Sequence, residues 1–369
     1  MTMISNEAFK GDGSRLVASE QQIRGYVPEE VLAFLIKNSG YYLLPDASYD
    51  PQELVDQPNG LAVRGRGATH QADVLGQLSW APAFTYPLRL FVEAKYYSGT
   101  RRICLSTVRS AVGIIEDVDQ NFQVIPGAIS VTLRKRYTYR YALFSATSFD
   151  SHAAELAYAH GISLVDLSTP AFQPLRDVVR SIASSVVDSQ SCGYIVRLAP
   201  LRQAVRDALN PDLDRRPLEA ASLPPEVVEV LQRVRDKAEL GDLLIGMPDA
   251  PFVLILKPDD LGAFLDYARE HRSHDVRIRS RLGTAATEWE MLPRYSDDYR
   301  LVFSLPPELD EWILSTGSSA SRRARYLKGE LLKSITVFWS QRDYDEVFRL
   351  DYSPTQTSSQ IPDRADSAT

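Results

Sequence analysis

Cysteine is almost missing from this chain: Cys104 and Cys192 are the two present among 369 residues. One pair cannot build a disulfide framework, and no Cys/His grouping has the spacing of a zinc site. Long apolar runs are missing too; no stretch approaches the roughly 18 uninterrupted apolar residues that a membrane span requires. The N-terminal MTMISNEAFKGDGSRLVASEQQ has no apolar core of the export-signal kind. Together these absences give the expectation of a reduced, cytoplasmic protein without membrane association. A surplus of positive charge is also lacking, since 41 Lys+Arg face 48 Asp+Glu for a net charge of −7. A protein that coats nucleic acid is usually basic. The balance argues against that class, yet an enzyme needs only a locally positive cleft.

What is present has the composition of a soluble globular chain, 44% hydrophobic and 24% charged. The length suits two domains. Residues 1–22 read as a flexible N-terminus. From Pro28 the apolar phase of Val31, Leu32, Leu35 and Ile36 predicts a helix with Pro28 in its first turn, stopped by Gly40. Strands are expected at 41–44, 70–78, 88–94 and 141–145, and in ISLVDL. Helices are expected at 103–118, at 151–160 with Ser151 as its cap, and at 172–187. This strand–helix alternation predicts an α/β domain with a mixed sheet over residues 23–195. Residues 196–223, rich in Pro and charge, read as a linker or short helical connection. Beyond it, FVLILK, DVRIRSRL, EWEML, YRLVFSL, ITVFWS and EVFRLDY predict an α+β accessory domain, 224–352, with a largely antiparallel sheet. Residues 353–369 are polar and Pro/Ser-rich and are expected to be disordered.

The segment that carries chemistry is Asp73 followed twenty positions later by Glu93-Ala94-Lys95. Residues two apart on a strand share a face, so Glu93 and Lys95 project together. If the two strands are antiparallel neighbours, Asp73 reaches the same edge. Two converging carboxylates make an oxygen-rich site for Mg²⁺, which keeps several waters of its own. Such a metal polarises a phosphate oxygen and acidifies a bound water, while a neighbouring ammonium orients that water or stabilises developing charge. The plain alternative is a Glu93–Lys95 salt bridge at a sheet edge.

In this order of pieces the sequence resembles the PD-(D/E)xK nuclease superfamily, and within it the Mrr-like restriction endonucleases. The pieces are the helix PEEVLAFLIKNSGY, then Gly67…His70-Gln71-Ala72-Asp73-Val74-Leu75-Gly76, the strand ending Glu93-Ala94-Lys95, a helix, and YALFSATSFDSHAAELAYAHGISLVDL. The sequence departs from the family in having no Pro before Asp73, a longer loop between the motif strands, and no clear Gln in the helix after Lys95, where Arg109 stands. The resemblance implies a restriction-endonuclease-like mixed sheet flanked by helices, and a Mg²⁺-dependent DNA endonuclease, with Mn²⁺ as a substitute, serving restriction or antiphage defence. It implies Asp73, Glu93 and Lys95 as the catalytic set. A metal ligand from the first helix is also implied: Glu29 by the phase of that helix, with Glu30 as the alternative. A catalytically silent nuclease fold, binding DNA or acting as scaffold in a defence complex, is the second reading. One site per chain and two DNA strands make a homodimer attractive.

Five further groups carry expectations. His70 lines the cleft or is simply hydrogen-bonded at a strand start. Arg134, Lys135 and Arg136 mix with Tyr137 and Tyr139, a texture that suits nucleic-acid contacts or a solvated hairpin edge. Arg-Gly-Arg-Gly at 64–67 reads as a plain turn, and Glu116, Asp117 and Asp119 as a solvated helix end. Arg277, Arg279 and Arg281 alternate along one strand and, with the SRRAR segment, Lys328 and Lys333, form a candidate DNA-facing surface.

Overall fold

The computed structural model describes residues 20–58, 60–80, 84–96, 102–121, 123–124, 133–134, 136–209, 222–236, 242–250, 252–281, 288–305, 328–341 and 344–352. Lys135, the SRRAR segment and residues 353–369 lie outside these.

The first helix, α1 (Glu20–Asn38), begins eight residues before Pro28 and carries the proline in its interior. It therefore takes in the last residues expected to be flexible. The reason is its buried stripe, which continues upstream of Pro28 through Ile23 and Val27 to Val31, Leu32, Leu35 and Ile36. An interior proline costs about 3 kcal/mol, whereas each such side chain gains about 1.5–3 kcal/mol on burial. Gly40 follows the helix at φ 81°, and a Cβ there would come within 2.8 Å of the Phe338 ring. Both the backbone turn and the close approach demand glycine.

The N-terminal strands are β1 (Tyr41–Leu43), β2 (Leu54–Gln57), β3 (Gly60–Arg64), β4 (Thr69–Gln71), β5 (Val74–Leu78) and β6 (Leu88–Lys95). After helix α2 (Leu105–Asp119) come β7 (Gln123–Val124), β8 (Leu133–Arg134) and β9 (Thr138–Ser145). Helix α3 (Ser151–Ala159), β10 (Ser163–Asp166) and α4 (Gln173–Ser191) complete this part. Asp150, rather than Ser151, caps α3, accepting from the His152 amide. The central sheet has the order β1-β5-β6-β9-β10. β5 runs antiparallel to both its neighbours, β1 and β6, while β6, β9 and β10 are parallel. Alternation sorts its residues onto two cores. Val74, Val92, Ala142 and Phe144 pack with α1 and α4, and Leu75, Phe91, Tyr141 and Leu143 pack with α2 and α3. The single strand expected over 70–78 is in fact two. β4 belongs to a small sheet, β2-β3-β4, and β5 to the central one.

The connection expected at 196–223 is no free linker over its first part. Helix α5 (Leu198–Leu209) buries Leu201, Ala204, Val205, Ala208 and Leu209. These join α1 and α4 in one core, as do Val227, Val230, Leu231 and Val234 of α6 (Pro225–Asp236). That core extends to Ile245 and Ile255 in the C-terminal part.

There the strands are β11 (Leu244–Pro248) and β12 (Leu254–Pro258), then, after α7 (Leu261–Glu270), β13 (Ser273–Arg281), β14 (Glu288–Pro293), β15 (Leu301–Phe303), β16 (Ser334–Gln341) and β17 (Tyr344–Tyr352). They form a closed barrel, β11-β12-β15-β14-β13-β17-β16, sealed by β11 against β16. The pairings are antiparallel as expected, except that β13 and β17 are parallel. Closure leaves no sheet edge to protect, and the interior is filled by Trp289, Met291, Phe303, Phe348 and their neighbours.

A buried ionic cluster locks the start of β6. Arg89, 2% exposed, reaches Asp50 at 2.7 Å and the Tyr139 hydroxyl at 3.2 Å, with the Tyr137 ring 3.4 Å from its guanidinium carbon. Burial would raise the Asp50 carboxyl, but the hydrogen bonds and charge of Arg89, helped by Arg136, hold it below the ordinary range. Arg89→Met should destabilise the chain by about 3–5 kcal/mol, the cost of stranding a buried partner. A carboxyl depressed by folding stabilises fully above its unfolded value of about 4 and loses this as pH falls through the folded value. The gap between wild type and variant in urea titrations should therefore narrow below about pH 4.

Candidate functional site

The chain crosses from the small sheet to the central sheet at Ala72-Asp73, so Asp73 stands just before β5 rather than within a strand. Two bonds fix it there. Its amide donates to the Val92 carbonyl at 3.1 Å, and its Oδ2 accepts from the Ala94 amide at 2.7 Å. The antiparallel register of β5 and β6, with Val74 opposite Val92, thus brings Asp73 to the end of β6 that carries Glu93 and Lys95. Lys95 Nζ pairs with Glu93 Oε1, and the Tyr141 hydroxyl donates to Glu93 Oε2. Glu93 and Lys95 are 22% and 28% exposed, so a ligand can reach them.

Burial, then the charge of Glu93, raises the Asp73 carboxyl above the ordinary range, against the pull of the Ala94 amide, Lys95 and Arg202. Burial and the Glu93 charge also push the Tyr141 phenol far up, which keeps it a donor.

Of the two α1 glutamates expected as a ligand, Glu29 is the one within electrostatic reach of this group. Burial, then the Asp73 charge, pushes its carboxyl up to about 8, opposed by Arg202 and Arg206. Glu30 is instead an anchor: it accepts from Arg202 Nε at 2.6 Å and from Arg206 Nε at 2.5 Å. Arg202 also lies 3.5 Å from Glu29 Oε2. Neither Tyr141 nor Arg202 was legible as a site residue. Tyr141 needed the parallel pairing of β6 with β9, and Arg202 lies in a segment without motif or strand pattern.

The other expected residues are not brought to this group. His70 Nε2 is 2.7 Å from Asp117 Oδ2, the hydrogen-bonded alternative. Asp117, expected as a solvated helix end, also accepts from the Gly67 and Ala68 amides at 2.8 and 3.1 Å. A Cβ on Gly65 would overlap that carboxylate at 2.0 Å, which accounts for glycine there. The amides of the Arg-Gly-Arg-Gly turn are therefore taken up within the protein: Gly67 by the Asp117 side chain, and Arg64, Gly65 and Arg66 by the Glu53, Ala68 and Asp117 carbonyls.

Arg136 turns inward, 3.0 Å from Asp50 and 3.6 Å from Glu53, so it belongs to the buried cluster and not to a binding face. Arg134 lies on β8. Arg277 is held by Asp297 and donates to the Ser296 carbonyl at 3.0 Å. Arg281 lies 3.3 Å from Glu288 across the strand pair, and Arg279 is exposed opposite Glu290. Acidic partners thus neutralise most of the strand face expected to meet DNA. Lys328 donates to the Ile278 carbonyl at 3.0 Å and sits 4.7 Å from the Trp289 ring centre.

The group is all-oxygen in its acidic members, with no Cys or His. Among the described residues no three His, Cys, Asp or Glu side chains are gathered into a ready-made metal shell. The fit to a hard cation rests instead on the Asp73–Glu93 pair, which meets the one or two carboxylates that Mg²⁺ takes. Among the described residues no helix is long and apolar enough to cross a membrane. No family model, no curated protein and no solved structure matches this chain.

Proposed function

We propose that the chain is a metal-dependent endonuclease that hydrolyses phosphodiester bonds in DNA, in restriction or antiphage defence, on a restriction-endonuclease-like sheet. The observation that carries this is the convergence of Asp73, pinned by the Ala94 amide, with Glu93 and Lys95 at one end of β6. Asp73 and Glu93, with Glu29 from α1, would hold Mg²⁺ or Mn²⁺. Bound there, the ion would polarise a phosphate oxygen and lower the pKa of a water. Lys95 orients that water or offsets charge on the phosphate. Tyr141 fixes one Glu93 oxygen, so the carboxylate cannot rotate away from Asp73.

The test is incubation of purified protein with plasmid DNA in Mg²⁺, Mn²⁺ or EDTA. Nicking or linearisation that requires the metal supports the proposal. All-oxygen ligands also predict no stoichiometric zinc by elemental analysis. The second reading, a silent nuclease fold that binds DNA or a defence-system partner, draws on the engagement of both Glu93 oxygens by Lys95 and Tyr141. DNA binding without turnover in any metal would select it.

A further inference from the structure

We infer that Arg202, on α5, is a positioning residue of this site, holding the Glu29 carboxylate beside Asp73; the inference rests on the metal-dependent reading above. In the ionised form that a cation needs, Glu29 and Asp73 are like charges and repel unless a positive group lies beside them. A glutamate on a helix flank is free to swing toward water unless something restrains it. Arg202 Nη2, 3.5 Å from Glu29 Oε2, is that restraint.

Arg202 itself is fixed on two further sides. Its Nε donates to Glu30 Oε1 at 2.6 Å, and its guanidinium carbon lies 4.6 Å from the Tyr26 ring centre. Glu30 is only 4% exposed and is fixed in turn by Arg206, whose Nε and Nη2 lie 2.5 and 2.8 Å from its two oxygens. Arg206, Glu30, Arg202 and Glu29 thus form a chain of contacts in which three members are anchored and the last carries the free carboxylate. The contact at 3.5 Å is an ion contact, longer than a tight hydrogen bond. It steers Glu29 and leaves its lone pairs open to another cation. Outer groups that orient metal-binding side chains are typically worth 10–100-fold in metal affinity.

The experiment is calorimetric titration of the full chain with Mn²⁺ alone, without DNA, with a melting curve for each variant. Wild type should bind Mn²⁺, and Asp73→Ala should not. Arg202→Ala should weaken binding by about 10–100-fold, and Arg202→Lys should recover only part, since an ammonium lacks the fork that spans Glu30 and Glu29. If Arg202→Ala does not fold, Arg202→Lys decides alone by the same criterion. In a Glu29→Ala background, Arg202→Ala should add nothing further, because it acts through Glu29. Arg206→Ala, which removes hydrogen bonds to Glu30 and only a more distant charge from Glu29, should lower the melting temperature and weaken Mn²⁺ binding far less than Arg202→Ala. Folded Arg202 variants that bind Mn²⁺ as tightly as wild type, or an effect that adds fully to Glu29→Ala, overturn the positioning role and leave the metal site standing. Wild type that binds no Mn²⁺, or Asp73→Ala that binds it unchanged, overturns the metal reading and the inference with it.

Discussion

Asp73→Ala, Glu93→Ala and Lys95→Ala should each reduce plasmid cleavage by ~10³-fold or more, because groups that act as one unit fail together. Their geometry separates the causes. Asp73 offers Oδ1 to a cation while Oδ2 is held by the Ala94 amide, so its loss removes a ligand directly. Glu93→Ala removes the second carboxylate and leaves the buried Tyr141 hydroxyl without its acceptor. Lys95→Ala takes away the ammonium on Glu93 Oε1 and spares both carboxylates. Mn²⁺ calorimetry should therefore show binding in Lys95→Ala and none in the two carboxylate variants. Near-wild-type cutting by any one of the three, in protein with an intact melting transition, would falsify the assignment.

A fragment ending at residue 195 should not fold as a cooperative unit, contrary to what the change of pattern along the sequence suggests. It would lack α5 and α6, and so uncover the faces of α1 and α4 that these helices bury. Leu201, Val205, Leu209, Val227 and Leu231 all belong to that shared core. At about 1.5–3 kcal/mol for each such side chain, their loss alone equals the whole net stability of a typical domain, about 5–15 kcal/mol. The fragment would also lose the arginines on Glu30, leaving a buried carboxylate unpaired. Circular dichroism and thermal melting of the fragment provide the check. A sharp transition near that of the full chain would show that the N-terminal sheet and its four remaining helices suffice.

Much of the central sheet was readable because its signals are local. The run Leu88 to Ala94 is a strand, Glu93 and Lys95 share a face, and the helix expected over 151–160 is there as α3. The phase of α1 favoured Glu29 over Glu30, and Glu29 is the one electrostatically coupled to Asp73. What escaped depends on partners distant in the chain. Pro28 suggested a helix start because proline suits a first turn; the buried stripe on both sides of it carried the helix through. The barrel escaped because closure rests on pairs such as Ile245 with Phe338, which no alternation pattern within one strand specifies. Arg277, Arg279 and Arg281 looked like a cationic face because alternation reports which side a residue takes, not whether Asp297 or Glu288 already waits there. Arg136 misled in the same way, since its acidic partners, Asp50 and Glu53, come more than eighty positions earlier.

The clamp on Glu30 has a consequence for the timing of synthesis. Its two arginines lie 172 and 176 positions downstream of the glutamate they hold. At a translation rate of about 5–20 residues per second, roughly 10–35 s separate the emergence of Glu30 from that of Arg206. Throughout that interval α1 exists without the helix that orders its acidic residues, and the buried stripe that needs α5 remains uncovered. A nascent chain is thus born with Asp73, Glu93 and Lys95 already made but with Glu29 unset. For a protein that would cut nucleic acid beside the ribosome making it, assembly order itself withholds the finished site until more than half the chain is complete.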